Sequence, residues 1–234
     1  MTTIADRLAI AQQRIINAAQ LTGRNSSEIR LLAVSKTKPI ADIITAYEAG
    51  QRQFGENYVQ EGVDKITTLS TQYPEIEWHF IGPLQSNKSR LVASHFDWMH
   101  TLSREKIAQR LNDYRPSEMA PLNVCIQVNI SAEETKSGID IHDILPLANA
   151  IHKMPRLRLR GLMAIGSTSA DVALQQHEFS TLNQAFAELK SSYPHLDTLS
   201  MGMSGDLDAA IANGSTLVRI GSAIFGERHY SDSI

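Results

Sequence analysis

The chain has a single cysteine, Cys125, in 234 residues, so no internal disulfide can form and no Cys-cluster metal site can be built. It has no basic excess either: 22 Lys+Arg stand against 25 Asp+Glu, a formal net charge of −3, where broad affinity for nucleic acid or anionic lipid needs a basic patch. No stretch approaches about 18 uninterrupted apolar residues, so no membrane span is expected. The N-terminus places Asp6, Arg7 and Arg14 where a secretory signal would be apolar. The sequons at Asn25, Asn87, Asn129 and Asn213 are therefore read as chance matches in a cytoplasmic protein. No low-complexity linker, composition shift or short repeat divides the chain, and residues 1–234 are expected to form one domain. A chain of this length buries roughly 70–75% of its unfolded surface and needs no covalent staple.

What is present is an alternation of short apolar runs with helical periodicity. The first helix carries Ile4, Leu8, Ala11, Ile15 and Ala18 on one face, and Thr3 with Asp6 resembles a capping box. Strands are expected at Leu31–Ser35, Gln53–Phe54, Trp78–Ile81, Asp97–Thr101, Asn123–Ile130, Leu159–Ala164, Thr198–Ser200 and Thr216–Ile220. Helical segments separate them; Pro39 opens one and Gly50 is placed to end it. Eight strands alternating with helices suggest an α/β protein, a single parallel (β/α)8 barrel. Only fourteen residues remain from Gly221 onward, too few for a full closing helix, and the additional N-terminal helix is expected to fill that gap.

In such barrels the active face lies at the C-terminal ends of the strands, and phosphate often binds after strands seven and eight. Lys36 directly follows strand one, where a lysine of lowered pKa could form a Schiff base; taken alone, a lysine here is more often simply solvated at a helix entrance. Lys136, in Glu134-Thr135-Lys136-Ser137-Gly138 after strand five, has a formally similar position, and position does not choose between the two. Strand seven ends in Ser200-Met201-Gly202-Met203-Ser204-Gly205-Asp206, with Ser204 as a candidate helix N-cap and anion contact. Strand eight ends in Arg219-Ile220-Gly221-Ser222. Alternation turns Arg219 inward, which is costly unless it binds something, and Gly221 and Ser222 offer N–H groups and a hydroxyl. Together these make a two-loop phosphate cup. Asn57, after strand two, either meets a ligand or caps the next helix. His79 reads as a hydrogen-bonded barrel residue, Cys125 as a small buried hydrophobe, and no metal site is expected. The loop Gly82–Lys88 could cover the site.

A Schiff-base lysine beside a phosphate cup suggests pyridoxal 5′-phosphate. The sequence closely resembles the pyridoxal-phosphate homeostasis protein family nearly end to end. The resemblance rests on Leu32-Ala33-Val34-Ser35-Lys36-Thr37-Lys38, Phe54-Gly55-Glu56-Asn57, Trp78 through Lys88, Gly161-Leu162-Met163, Met201 through Asp206 and Arg219-Ile220-Gly221. It implies a barrel similar to the N-terminal domain of alanine racemase, with the cofactor as an internal aldimine on Lys36. It also implies Ser204, Gly221 and Ser222 at the phosphate, with Ser200 and Met201 in the same strand end. Arg219 would face the pyridine nitrogen, and Asn57 and Met163 would line the ring.

The resemblance implies a non-catalytic, monomeric carrier that holds the cofactor and supplies it to apoenzymes. An arginine beside the pyridine nitrogen disfavours its protonation and weakens the ring as an electron sink. With thirteen residues after Gly221, no second domain is expected to supply an opposing base. Two alternatives stay open: a narrow-scope pyridoxal-phosphate enzyme such as an amino-acid racemase, and a cofactor-free Schiff-base aldolase.

Overall fold

The computed structural model describes residues 2–131 and 136–227. In chain order it consists of α1 (Ile4–Leu21), β1 (Arg30–Val34), α2 (Ile40–Glu48), β2 (Gln53–Glu56), α3 (Val59–Leu69), β3 (Glu77–Phe80), α4 (Ser89–His95), β4 (Trp98–Leu102) and α5 (Glu105–Tyr114). It continues with β5 (Leu122–Gln127), α6 (Ile144–His152), β6 (Leu157–Met163), α7 (Val172–Ser192), β7 (Thr198–Ser200), α8 (Leu207–Ala212), β8 (Leu217–Ile220) and α9 (Ser222–Phe225). The eight strands close into a barrel in sequence order, and β1 pairs in parallel with both β2 and β8.

The expected capping box at the head of α1 is present: Asp6 N–H donates to Thr3 Oγ1, and Thr3 N–H donates to Asp6. The buried face of α1 is Leu8, Ala11, Ile15, Ala18 and Ala19. It packs against α2, α8 and α9, so this extra helix occupies the place in the outer ring that the short α9 leaves open. Three arginines of this N-terminal segment stitch it to the chain around β7 and β8. Arg7 donates to the Ile224 carbonyl, Arg14 to the Ser204 carbonyl and to Asp208, and Arg24 to the carbonyls of Ile211 and Ser215.

The main apolar core is the layer between strands and helices, where Ala33, Phe54, Phe80, Met99, Val124, Leu162 and Leu199 meet the helix faces. The barrel interior carries two small apolar clusters, Leu32 with Ile81 and Leu217, and Trp98 with Cys125 and Met163. Between them run polar residues, among them His79, His100, Ser200 and Arg219, all buried.

Several boundaries differ from the sequence reading. β2 extends to Glu56, because Gly55 and Glu56 pair with His79 and Phe80; a fully buried glutamate masks the strand's apolar pattern. β5 stops at Gln127, where Asn129 turns the chain by accepting from Ser131 N–H. Ser204 is not a helix N-cap: it lies in a turn, and Asp206 stands at the N-cap of α8 while accepting from Met203 N–H. Of the stretch around Lys136, Glu134 and Thr135 lie outside the described residues.

Candidate functional site

The turn after β1 is held by an unusual density of polar contacts. Lys38 N–H donates to the Ser35 carbonyl, and Thr37 sits at φ 62°, a left-handed conformation costly for a β-branched residue. Glu61 accepts from Thr37 N–H at 2.6 Å and from Lys65 Nζ at 2.7 Å. Lys65 Nζ also donates to the Ser35 carbonyl and to Glu56, whose carboxylate accepts from Ser35 Oγ. Burial raises the Glu56 pKa, and Lys65 opposes that rise. This ionic knot fixes the backbone on either side of Lys36, so the lysine leaves the strand in one direction. Lys38 borders the same cavity, but its amine is held on the carbonyls of Gly226 and Glu227.

Lys36 faces a cavity of about 490 Å³ at the C-terminal mouth of the barrel. Its wall includes Asn57, Met163, Ser204, Gly205, Arg219, Gly221 and Ser222, so residues from both ends of the chain meet there. Gly221 and Ser222 open α9, and the first N–H groups of any helix have no partner within it. Gly202 explains how the Ser204 loop comes in: its φ is 103°, and a Cβ there would lie 2.7 Å from that of Ala210. Asn57 does not cap the next helix, because Tyr58 holds the N-cap position of α3. Its Oδ1 is buried with no hydrogen-bond partner, an acceptor left for a ligand.

Arg219 is 4% exposed and held on two sides: Nη1 donates to Ser200 Oγ at 2.8 Å and Nη2 to the Ala164 carbonyl at 3.0 Å. Burial lowers its pKa to about 10, which leaves it charged at neutral pH. Ser200 therefore stands behind Arg219 rather than in the cavity wall, and Met201 is buried in the core between barrel and helices. Sequence reasoning grouped both with the site because they end the same strand; the structure buries both, Ser200 against Arg219 and Met201 in the core.

Lys136 lies in a neighbouring cavity of about 490 Å³ with Arg104, Ser103, Gln127 and Leu84, which shares Asn57, Ile81 and Ile165 with the first. The two lysines that position alone could not separate thus stand in adjacent chambers, and only Lys36 shares one with the cup residues. Pro83 and Leu84 of the Gly82–Lys88 loop line the second chamber, not the first. Sequence reasoning missed Val34, Ile81, Ile165 and Met203 as lining residues and His100 as an interior one. The inward alternation along β4, shared with Trp98, was the available signal for His100. Burial pushes the Cys125 thiol up to about 12, consistent with a packing role. Among the described residues no group of three or more His, Cys, Asp or Glu could hold a metal ion.

The closed barrel with a lysine after β1 and glycine-bearing loops after β7 and β8 defines a class of protein. The model of the alanine racemase N-terminal domain matches residues 10–229. An alanine racemase from Corynebacterium glutamicum shares the fold with a TM-score of 0.68 at 14% identity, over 92% of this chain and 60% of that one. Within that class, the chain belongs to the pyridoxal phosphate homeostasis protein family. It is 59% identical over 232 residues to the pyridoxal phosphate homeostasis protein of Escherichia coli, covering 99% of each chain. It is 51% identical over 230 residues to that of Pseudomonas aeruginosa, covering 98% of each. The structure of PipY from Synechococcus elongatus with PLP bound superposes with a TM-score of 0.82 at 36% identity, covering 96% of this chain and all of that one.

Proposed function

We propose that this protein, one barrel domain over residues 1–234, binds pyridoxal 5′-phosphate at the mouth of the barrel. Its role is intracellular homeostasis of the cofactor, holding it covalently through Lys36 and supplying it to apoenzymes. The observation that carries this reading is that Lys36, Ser204, Gly221, Ser222 and Arg219 line one cavity. Its volume of about 490 Å³ is within the roughly 300–1,000 Å³ of small-molecule sites.

The residues present fit the group. Lys36 would hold the group through its amine, by condensation with the aldehyde and loss of water. Ser204, Gly221 and Ser222 supply a hydroxyl-and-amide cradle suited to a phosphate dianion. Arg219 supplies a charged donor to a ring nitrogen, and the buried Oδ1 of Asn57 an acceptor at the ring's edge. When bound, the cofactor supplies an electrophilic aldehyde and an electron-withdrawing ring. A guanidinium beside the ring nitrogen would disfavour its protonation, which would limit carbanion stabilisation and favour carriage over turnover. We place the protein in the cytoplasm as a monomer, with no nucleic-acid or membrane partner; no helix among the described residues is long and apolar enough to cross a membrane.

The test is reduction of the cofactor-loaded protein with borohydride followed by peptide mapping. The adduct is expected on the peptide bearing Lys36, and an adduct confined to Lys136 overturns the assignment. Loaded protein is expected to restore activity to an apoenzyme. It is also expected to incorporate no deuterium at Cα of L-alanine or L-serine in deuterated water. Steady incorporation near about 1 s⁻¹, within the ordinary enzyme range, would place it among the racemase-like enzymes instead.

A further inference from the structure

Beneath the cavity, five buried or part-buried side chains from four strands form an unbroken hydrogen-bond chain across the barrel interior. Arg219 Nη1 on β8 donates to Ser200 Oγ on β7 at 2.8 Å, and Ser200 Oγ lies 2.8 Å from His100 Nδ1 on β4. His100 Nε2 lies 2.8 Å from His79 Nδ1 on β3, and His79 Nε2 lies 2.7 Å from Glu77 Oε1 at the start of β3. The chain therefore runs from the N-terminal end of β3 to the cofactor end of β8.

Its two ends fix its direction. A guanidinium only donates and an ionised carboxylate only accepts. Glu77 thus requires the proton of His79 on Nε2, which leaves His79 Nδ1 as an acceptor. His100 must then carry its proton on Nε2, and its Nδ1 can only accept the single hydroxyl proton of Ser200. Ser200 Oγ is left with lone pairs for Arg219. With both imidazoles neutral, as their complete burial favours, every donor points toward Glu77. The surroundings agree: Trp98 stacks on His79 with ring centroids 5.0 Å apart, and the guanidinium groups of Arg30 and Arg160 lie over that same Trp98 ring, 4.9 and 4.4 Å from its centroid. Two cations so close disfavour a third charge on His79.

We propose that Ser200, His100, His79 and Glu77 are positioning residues for Arg219, a hydrogen-bond chain of one fixed direction that sets where the guanidinium presents its free donors to a bound ring. The role assigned to Arg219 rests on the reading that the cavity takes pyridoxal phosphate; the direction of the chain does not. Without the hydroxyl of Ser200, Arg219 keeps the Ala164 carbonyl but loses one of its two hydrogen-bond partners among the described residues, and a buried charge with too few partners moves to find others.

Long-range proton–nitrogen correlation spectra of the cofactor-free protein, labelled with nitrogen-15 histidine, test the direction. Both His79 and His100 are expected as neutral Nε2–H tautomers. An Nδ1–H tautomer or an imidazolium at either residue overturns the chain as drawn. Ser200→Ala tests the coupling: pyridoxal phosphate affinity is expected to fall about tenfold, the scale of one lost charge-assisted hydrogen bond, and the visible band of the bound cofactor to shift. Ser200→Thr, which restores the hydroxyl, is expected to recover both. Wild-type affinity with an unshifted band in Ser200→Ala refutes the positioning role. If Ser200→Ala fails to fold, His100→Gln is read instead for the same band shift. Should the wild-type protein bind no pyridoxal phosphate, the functional reading fails while the tautomer spectra still decide the chain.

Discussion

Acidification is a direct probe of the two histidines sealed in the barrel. Burial, the first cause for both, holds the pKa of His79 and of His100 well below the usual 6.5; Arg30 and Arg160 add to it at His79, and His79, Arg219 and Arg30 at His100. A depressed histidine stays neutral in the folded chain, while the unfolded chain takes up its proton as pH falls through about 6.5. The unfolded state then binds more protons, so stability falls with falling pH. With both imidazoles uncharged in the native state, the loss between pH 6.5 and 5.5 comes to about 2 kcal/mol and steepens toward about 2.7 kcal/mol per unit below that. Against a total of roughly 5–15 kcal/mol this is a large fraction. The buried and part-buried carboxyls of Glu56, Glu77, Asp97 and Asp206 act in the opposite direction, because burial raises their pKa values and they gain protons more readily folded; comparison with a variant lacking both histidines separates the two effects. The assay is equilibrium urea unfolding of cofactor-free protein, followed by circular dichroism from pH 7.5 to 5.5. The double variant His79→Gln/His100→Gln, which keeps amide hydrogen bonds and removes both titrations, should flatten the curve. A wild-type stability that does not change over this range, or a slope that persists in the double variant, refutes the reasoning.

Other outcomes follow from the site and its supports. Ser204→Ala is expected to weaken pyridoxal phosphate binding by about 1–3 kcal/mol, roughly 5- to 140-fold in Kd by spectrophotometric titration. Lys65→Met leaves the Glu56 carboxylate buried without its cation and should cost about 3–5 kcal/mol in denaturant unfolding, most of it recovered by adding Glu56→Gln. Gly202→Ala should destabilise the chain by roughly 1–3 kcal/mol and lower cofactor affinity, since the loop bearing Ser204 must shift to admit the methyl group; unchanged binding would separate that glycine from the cup.

How much of this was readable in the sequence depended on how each residue is held. Strand count, barrel class and the extra helix were legible because β1, β3 and β5 are short apolar runs and the face of α1 repeats at helical spacing. Arg219 and Gly221 were legible because a strand's alternation is strict, so an arginine two residues before a glycine at a strand end faces the same mouth. β2 was shortened in the reading because Gly55 and Glu56 carry no apolar signal; the cation that compensates the buried Glu56 is Lys65, nine residues on and on another element. The choice between Lys36 and Lys136 was invisible because it depends on which loops share a chamber. The polar chain through the barrel was missed for a related reason: His79, His100 and Ser200 are each ordinary alone, and only closure of the barrel brings four strands within hydrogen-bond reach.

The arginine and lysine ties between the two ends of the chain also bear on synthesis. Arg14 reaches Ser204 across 190 residues and Lys38 reaches Gly226 across 188, while β1 stays without one of its two neighbours until β8 exists. At roughly 5–20 residues per second, a ribosome that has just released Lys36 needs about 10–40 s more to deliver the strand that completes the barrel. Throughout that interval the first strand has an open edge and the lysine has no chamber. The chamber that joins Lys36 to the cup thus exists only once β8 has been delivered and the barrel has closed.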